Sequence, residues 1–589
     1  MTSEDLCAIS ADWLKSLEAA SSAGDVASFV SHFLPNGWIR DLLCYSWNFR
    51  SLSGPNEIHG FLSEVVDGKP RIEHSGLRDF KLDDHTVNAP SPFKLPGPQG
   101  IEGVQGAFTF NITQPAALGR GFFRLTQDVD GRWKALTLFT NMQDLVGHEE
   151  SLADQHGLYE DRKITWEEDV DARFRAIEAD PTVLIIGGGQ SGLMTAARLR
   201  RLGIRALIIE KNAHVGDSWR QRYVRIQWDV ILHYRCDLQV PEPYTAYSRR
   251  SQLHSTFPKY IPKGKLANFL DSYAVDHELC IWLSSRVQST PVYDSSSARW
   301  TVEVQRGDQK VFLNPKHVVL ATGVGSPRIP MWNGMDEFQG ALYHSDLHKD
   351  AEQFRGKRVV VVGAVTMVQR SATCIVSSSA LNQTHFKSPF PDGTPIEEYD
   401  FHTNSIPLAF LLQMNLSGGV QHMKMLDKEL HEGLSKVGFN LTWELSPGSG
   451  EVGLVGFVFN RLAAGTMLDT GCGKLIIEGR VKIKQGQDIS HLDKDGITFK
   501  DGSKLSADVI VLATGNESIM ETTRALLGNE ITEQLPPKVW GLDSEGELNQ
   551  IYRPSGHPGL WFAIGGFSIS RFFSKHLGLQ ILARELGIA

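Results

Sequence analysis

Cysteine is scarce in this chain. Its six cysteines, Cys7, Cys44, Cys236, Cys280, Cys374 and Cys472, are scattered singly, with no Cys-x-x-Cys pair among them. That spread excludes a disulfide scaffold and a cysteine zinc module, and it suits a reducing compartment. No uninterrupted apolar run reaches the roughly 20 residues that cross a bilayer. The opening Met1-Thr2-Ser3-Glu4-Asp5 is acidic and lacks the basic and apolar stretches of a secretory signal. The ending Leu586-Gly587-Ile588-Ala589 carries no peroxisomal or lipidation tag. A soluble, cytoplasmic protein without a transmembrane segment is the expectation. Positive charge is not in excess either. Asp plus Glu number 68 against 59 Lys plus Arg, a net charge of −9, which argues against nucleic acid or an anionic membrane as a partner.

What is present is length and ordinary globular composition. At 589 residues, 41% apolar and 22% charged, the chain is long enough for several domains with a large core. The pattern divides it into a small α+β unit over 1–147, a linker over 148–180, a dinucleotide-binding region over 181–335, a second over 336–510, and a C-terminal part of the first over 511–589. In the N-terminal unit, helical periodicity at Trp13, Leu14 and Leu17, then at Val26, Phe29, Val30, Phe33 and Leu34, ends at a break over Pro35-Asn36-Gly37. Strands are expected over 106–112, 121–127 and 133–139, the last two joined by a hairpin turn at Asp130-Gly131. The charges His148, Glu149, Glu150, Glu167, Glu168 and Asp169 read as a solvated connector.

The first dinucleotide signal is complete. A short apolar strand over 182–186 runs into Gly187-Gly188-Gly189-Gln190-Ser191-Gly192, then a helix to Leu202 with a stop at Gly203, then a second strand over 205–209 that ends in Glu210. Gly187 permits the tight turn, and Gly189 lets backbone N–H groups approach a pyrophosphate at the positive helix end. Gln190 and Ser191 begin that helix, and Gly192 permits close packing of helix on strand. Glu210 can accept hydrogen bonds from ribose hydroxyls and would repel a 2′-phosphate, so FAD or NAD is favoured over NADP here.

The residues that follow, Glu210-Lys211-Asn212-Ala213-His214-Val215-Gly216-Asp217-Ser218-Trp219-Arg220, resemble the flavin-containing monooxygenases, particularly fungal members with an extra N-terminal module. The resemblance implies that Lys211, Gly216, Ser218, Trp219 and Arg220 lie along FAD. It continues through Tyr260-Ile261-Pro262-Lys263 to a strand whose Val287 touches the adenine, and through the Ala321-Thr322-Gly323 turn. Phe338, Gly340, His344 and Ser345 resemble the signature before an NADPH domain. A second turn, Ala513-Thr514-Gly515, and a segment from Arg553 through His557 and Trp561 lead to a flavin-facing turn at Gly565-Gly566. The matches run over roughly 150–589. The N-terminal stretch resembles the SnoaL-like, cone-shaped α+β barrel in its early helices, its Trp38-Ile39-Arg40-Asp41 turn and its paired strands. Such barrels can hold a ligand or catalyse but often serve in packing or dimerisation; with no clear acid–base pair here, packing is the expectation, which leaves a homodimer through this unit open.

The fold so implied is an α/β, two-dinucleotide-binding-domain flavoprotein behind an α+β barrel. The implied activity is FAD-dependent, NADPH-linked monooxygenation of a small organic molecule with O₂, through a C4a-(hydro)peroxyflavin, of the kind found in secondary metabolism. The cofactor carries the hard chemistry, so no side chain is named as catalytic. His344 and His348 have helical metal spacing but no nearby Cys or Glu ligands, and no metal is expected.

The second fingerprint departs from the family. Residues 357–362 lead into Gly363-Ala364, as expected, but Val365-Thr366-Met367-Val368-Gln369-Arg370-Ser371 follows at once. Those residues resemble the second strand and the Arg370–Ser371 pair that grips the NADPH 2′-phosphate. The intervening helix is missing. Adjacent parallel strands ordinarily need a crossover of a dozen or more residues, so the two strands are not expected to stay neighbours. Arg222-Tyr223 also leads to an unusual run over 226–231, and Asn516 replaces the family's Tyr. Beside the NADPH-linked monooxygenase stands a second reading: an FAD-binding protein impaired in NADPH turnover, either a regulatory or scaffold remnant or a non-oxygenase flavoenzyme.

Overall fold

The computed structural model describes residues 2–84, 87–95, 100–151, 164–221, 261–350, 352–362, 367–369, 371–384 and 394–589. Gly363, Arg370, Tyr260 and the run after Arg222 lie outside the described residues.

The N-terminal unit opens with helix Ser3–Ser22, whose start is closed by a capping box between Thr2 and Asp5. Trp13, Leu14 and Leu17 fall on its buried face, as the periodicity requires. Helix Val26–Ser31 follows, capped by Asp25. Pro35-Asn36-Gly37 does not break the chain as expected. Strand Phe33–Leu42 runs through it, with a register shift between Phe33 and Trp38. The expected turn at Trp38-Ile39-Arg40-Asp41 is therefore strand. Strand Phe49–Ser53 pairs with these four residues on one side and strand Trp133–Leu145 on the other, so their backbone groups are satisfied within the sheet. All four are buried.

The sheet has seven strands in an open path: Phe49–Ser53, Phe33–Leu42, Trp133–Leu145, Ala117–Gln127, Glu102–Ile112 and Arg78–Leu82, with Ser91–Lys94 also on Glu102–Ile112. Part of the expected connector is helical. Helix Trp166–Ala179 begins at a Thr165–Glu168 capping box, and Glu167, Glu168 and Asp169 sit in its first turn, where acidic groups favour the helix dipole. Glu150 is not solvated either: its carboxylate is buried against Arg198 at 2.8 Å.

The next layer is a five-stranded parallel sheet in the order Ile281–Trp282, Ala206–Ile209, Val183–Ile186, His317–Leu320 and Leu560–Phe562. Helix Gln190–Arg201 packs against it and against helix Phe567–Glu585. One hydrophobic cluster runs from Trp13 and Phe139 through Leu184 and Val319 to Leu577 and Leu582. A second parallel sheet holds Ala341–His344, Val509–Leu512, Val359–Val362, Met367–Gln369 and Ile483–Gln485.

Strands Val359–Val362 and Met367–Gln369 do lie side by side, against the expectation from the missing crossover. Their register supplies the reason. Met367 sits opposite Val361, so the second strand starts level with the end of the first. The chain has to step back by roughly one residue, about 3.3 Å, and sideways by about 4.8 Å. A long crossover is required only when the second strand returns to the start of the first. What four intervening residues cannot supply is the helix of a dinucleotide-binding unit.

Candidate cofactor site

Strand Val183–Ile186 is paired on both sides and buried, and it delivers the chain to the glycine turn. Gly187 has φ +114°, and a Cβ there would stand 2.4 Å from the Ala321 carbonyl oxygen. Only glycine lets the first turn cross the Ala321-Thr322-Gly323 turn this closely. At Gly192 a Cβ would stand 2.0 Å from the Gly187 carbonyl oxygen. Gly189 differs from both. It is the extended N-cap of helix Gln190–Arg201, and among the described residues no non-neighbouring atom lies within 4 Å of where its Cβ would project. The first N–H groups of that helix have no intrahelical acceptors, so this opening is a cradle for a phosphate.

Glu210 is 8% exposed at the end of the neighbouring strand. Its Oε2 accepts from the Gly188 N–H at 2.7 Å and its Oε1 from the Asn212 N–H at 2.9 Å. The carboxylate thus holds the shape of the glycine turn, and each oxygen retains acceptor capacity for a ribose hydroxyl. Backbone bonds from Ser285 N to Glu210 O and from Ser284 N to Asn212 O, both 2.9 Å, bring strand Ser285–Val287 to the same edge.

The C-terminal helix completes the arrangement. Gln190 Nε2 donates to the Gly565 carbonyl at 3.2 Å, and Ser191 Oγ lies 2.9 Å from Ser570 Oγ. Tyr552 donates its hydroxyl to Ser570 at 2.9 Å, and burial pushes its phenol up to about 12, so it remains a donor. Spacing gave no sign of Tyr552 or Ser570, because their partners lie far away in the chain. Two helices, starting after Gly189 and Gly566, thus begin beside one another past the C-terminal ends of parallel strands. In open parallel sheets that is where nucleotides bind.

The segment after Glu210 flanks the cradle. Gly216 has φ +81°, and a Cβ there would meet the Ala267 carbonyl oxygen at 2.5 Å. Arg220 donates to the Val215 carbonyl at 2.7 Å, to Asp217 at 3.0 Å and to Asn268 at 3.1 Å, so its guanidinium braces the loop. Trp219 is half-buried against the main core, while Lys211 and Ser218 are exposed.

Two of the expected cofactor residues, Gly515 and Ser371, follow strands of the second sheet. The Gly515 carbonyl, in the second sheet, accepts from His344 Nε2 at 3.0 Å and from the Arg328 N–H at 2.9 Å. Asn516 donates to the Gly325 carbonyl at 3.1 Å, and Glu517 N–H to the Ser326 carbonyl at 2.8 Å, so this turn ties the two sheets together. Ser371 is exposed beyond Gln369, whose side chain is bonded to the Asn440 backbone. His344 is buried with both ring nitrogens engaged by backbone groups, and His348 lies against Tyr343. No cluster of three or more metal-ligating side chains occurs among the described residues.

The residues at 187–192 and 210 fit a dinucleotide pyrophosphate and ribose. The four-residue interval between Val362 and Met367 is too short in sequence for the crossover helix whose N-terminus presents a pyrophosphate site in a dinucleotide-binding unit.

The flavin-binding monooxygenase-like family model matches residues 180–520. Curated proteins similar to the chain include the probable indole-3-pyruvate monooxygenase YUCCA1 of Arabidopsis thaliana, 28% identical over 348 residues that cover 58% of this chain and 76% of that protein. Indole-3-pyruvate monooxygenase YUCCA1 of Oryza sativa subsp. japonica is 26% identical over 382 residues, 63% of this chain and 86% of that one. Among solved structures, the flavin-containing monooxygenase from Stenotrophomonas maltophilia is matched over 69% of this chain and 99% of its own, with 16% identity and a TM-score of 0.40. For a cyclohexanone monooxygenase mutant from Rhodococcus sp. Phi1 bound to NADP+, the coverage is 69% and 86%, the identity 15% and the TM-score 0.46.

Proposed function

Because the chain belongs to the flavin-binding monooxygenase-like family, we propose that it holds FAD in the glycine cradle and uses it with O₂ to oxygenate a small organic molecule. The family uses FAD and NADPH. The observation that carries the FAD assignment is the opening at Gly189, flanked by Gly187 and Gly192, where only glycine fits. Backbone groups of 187–192 would hold the pyrophosphate, Glu210 a ribose, and Val287 the adenine. Trp219, Thr322-Gly323 and Gly565 would border the flavin. When bound, FAD supplies the redox and oxygen-transfer chemistry. The chain's own residues bind and orient it: Tyr552, Ser570 and Ser191 lock the two helix starts together, and the packed core beneath them limits water at the site.

A second reading is favoured by one observation, the four-residue link between strands Val359–Val362 and Met367–Gln369. With no helix N-terminus there, NADPH would be bound weakly, and turnover with it would be impaired. The SnoaL-like character of residues 1–147, and the division of the rest at 148–180, 335 and 510, belong to the same proposal.

Cofactor identity is the decisive test. Protein purified and reloaded with FAD or NAD in parallel should retain about one FAD per chain and lose NAD on gel filtration. Retention of NAD in preference to FAD, or of neither, overturns the reading.

A further inference from the structure

A buried arginine with no acidic partner among the described residues lies outside the cofactor site. Arg124, on strand Ala117–Gln127, is only 5% exposed. Strand alternation puts Phe123 on the face toward the first helix, its ring 5.4 Å from that of Trp13. Phe122 and Arg124 take the other face, toward helix Ile396–Asn404, where the Phe122 ring lies 6.0 Å from Phe401 and 4.5 Å from His402. The Arg124 guanidinium rests over the Phe122 ring at 4.7 Å.

Among the described residues, its one hydrogen bond is from Nη1 to Thr137 Oγ1 at 3.4 Å, at the long limit for such a bond, and it has no ion pair. The nearby acids are taken: Arg120, four residues back on the same face, reaches Asp83 at 3.2 Å and Glu398 at 2.6 Å. The cross-strand neighbours of Arg124 are Gln105 and Thr137, both uncharged. His402 is held down to about 3 by burial and then by Arg124 and Arg120, so it is neutral, with Nε2 2.9 Å from the buried Asn88. Burial draws Arg124 itself down to about 9 with no acid to oppose it, which still leaves it a cation at neutral pH.

A buried, unpaired cation is costly, and an apolar residue of similar volume would fill this position at less expense. A guanidinium retains its advantage where its fork meets a carboxylate.

We propose that Arg124 anchors a binding site for a small monocarboxylate at the seam between the N-terminal sheet and helix Ile396–Asn404, with Thr137, Gln105 and His402 as its neutral surround. The side chains and strand partners directly around the guanidinium, Phe122, Thr137, Gln105 and neutral His402, are uncharged, and a single guanidinium fork matches one carboxylate. The proposal does not depend on the identity of the dinucleotide cofactor.

The test compares the full-length wild type with Arg124→Met in acetate, benzoate, phosphate and chloride at equal ionic strength, reading thermal unfolding. Acetate or benzoate should raise the wild-type Tm by a few degrees, saturably and beyond chloride or phosphate, and should leave Arg124→Met unmoved. In chloride alone Arg124→Met should be at least as stable as the wild type. Calorimetric titration of benzoate into the wild type gives a second measurement that does not need the variant. Absence of carboxylate-specific stabilisation and of binding heat in the wild type overturns the proposal. So does an equal effect in the variant, or a variant markedly less stable than a carboxylate-insensitive wild type.

Discussion

Arg40 and Glu547 form a two-bond ion pair, Nε to Oε1 at 2.7 Å and Nη2 to Oε2 at 2.8 Å, with side chains 0% and 1% exposed. Arg40 also donates to the Asn404 carbonyl at 2.6 Å, and Ser51 donates to Glu547 at 2.6 Å. Around the pair, Arg50 meets Glu545 and Arg553 reaches Asn48 and the Phe49 carbonyl. The Phe49 ring packs 5.3 Å from Phe573, and Asn141 Oδ1 lies 2.5 Å from His576 Nε2. The N-terminal sheet is thereby fastened to the helix whose first turn supplies Ser570 at the cradle.

Breaking that pair on one side should cost about 3–5 kcal/mol, because the surviving charge stays buried without its partner. Arg40→Met and Glu547→Gln are each expected to lower the urea midpoint strongly, and Arg40→Met with Glu547→Leu to recover much of the loss. A solvated connector by itself would let residues 150–589 keep FAD without the N-terminal unit. The buried seam predicts instead that this truncation loses flavin, measured as FAD per chain after gel filtration. Near-wild-type midpoints in the single variants, or a flavin-replete truncation, would count against the coupling.

The two glycines of the cradle should fail in different ways. Gly189→Trp places its side chain in open space, so circular dichroism and solubility should hold while FAD retention is abolished. Gly192→Ala drives a Cβ into the Gly187 carbonyl at 2.0 Å, so the fold itself should be weakened and FAD lost with it. A soluble Gly189→Trp protein with full flavin would show that the cofactor lies elsewhere.

Acid should loosen the seam before it titrates most carboxylates. Burial holds His576 down to about 3, with Lys575 adding to it, and burial likewise holds His402 to about 3, against an ordinary value of 6.5. Both are neutral when folded and protonate near 6.5 when unfolded, so their contribution is complete above about pH 6.5. It is lost as pH falls from there toward about 3, at up to about 1.4 kcal/mol per pH unit for each group. Urea unfolding at pH 7, 6 and 5 should show falling stability, with a shallower slope in His576→Gln. Stability that is flat from pH 7 to 5 would refute the assignment.

Reduction by NADPH should be slow. The link at 363–366 leaves no helix end for a second pyrophosphate, and losing several charge-assisted hydrogen bonds at about 1.5–3 kcal/mol each weakens binding by orders of magnitude. Anaerobic stopped-flow absorbance with millimolar NADPH should show sluggish bleaching of FAD that dithionite reduces at once. Fast, saturable bleaching would mean that the nicotinamide site has been rebuilt from other residues.

The glycine cradle was legible because it is local: strand, turn, helix and Glu210 follow one another in sequence, and each residue type answers to its own backbone. Even there, the bond from Gly188 to the Glu210 carboxylate came only from the fold. Where partners are distant, local signals misled. Pro35-Asn36-Gly37 has turn chemistry, yet pairing of 38–42 with strands on both sides made the segment a strand, because satisfying buried backbone groups outweighs turn preference. The acidic run after Gly147 looked solvated, but packing put Glu150 among Arg198, Arg201 and Lys575, which overcome its burial and hold its carboxyl down to about 2. The neighbouring strands beyond Val362 turned on a stagger, and register is a property of the assembled sheet. The contacts Arg40–Glu547 and Ser191–Ser570 join residues hundreds of positions apart, where neither periodicity nor motif can reach; only the packing of the C-terminal part of the chain on the N-terminal sheet and on helix Gln190–Arg201 decided them.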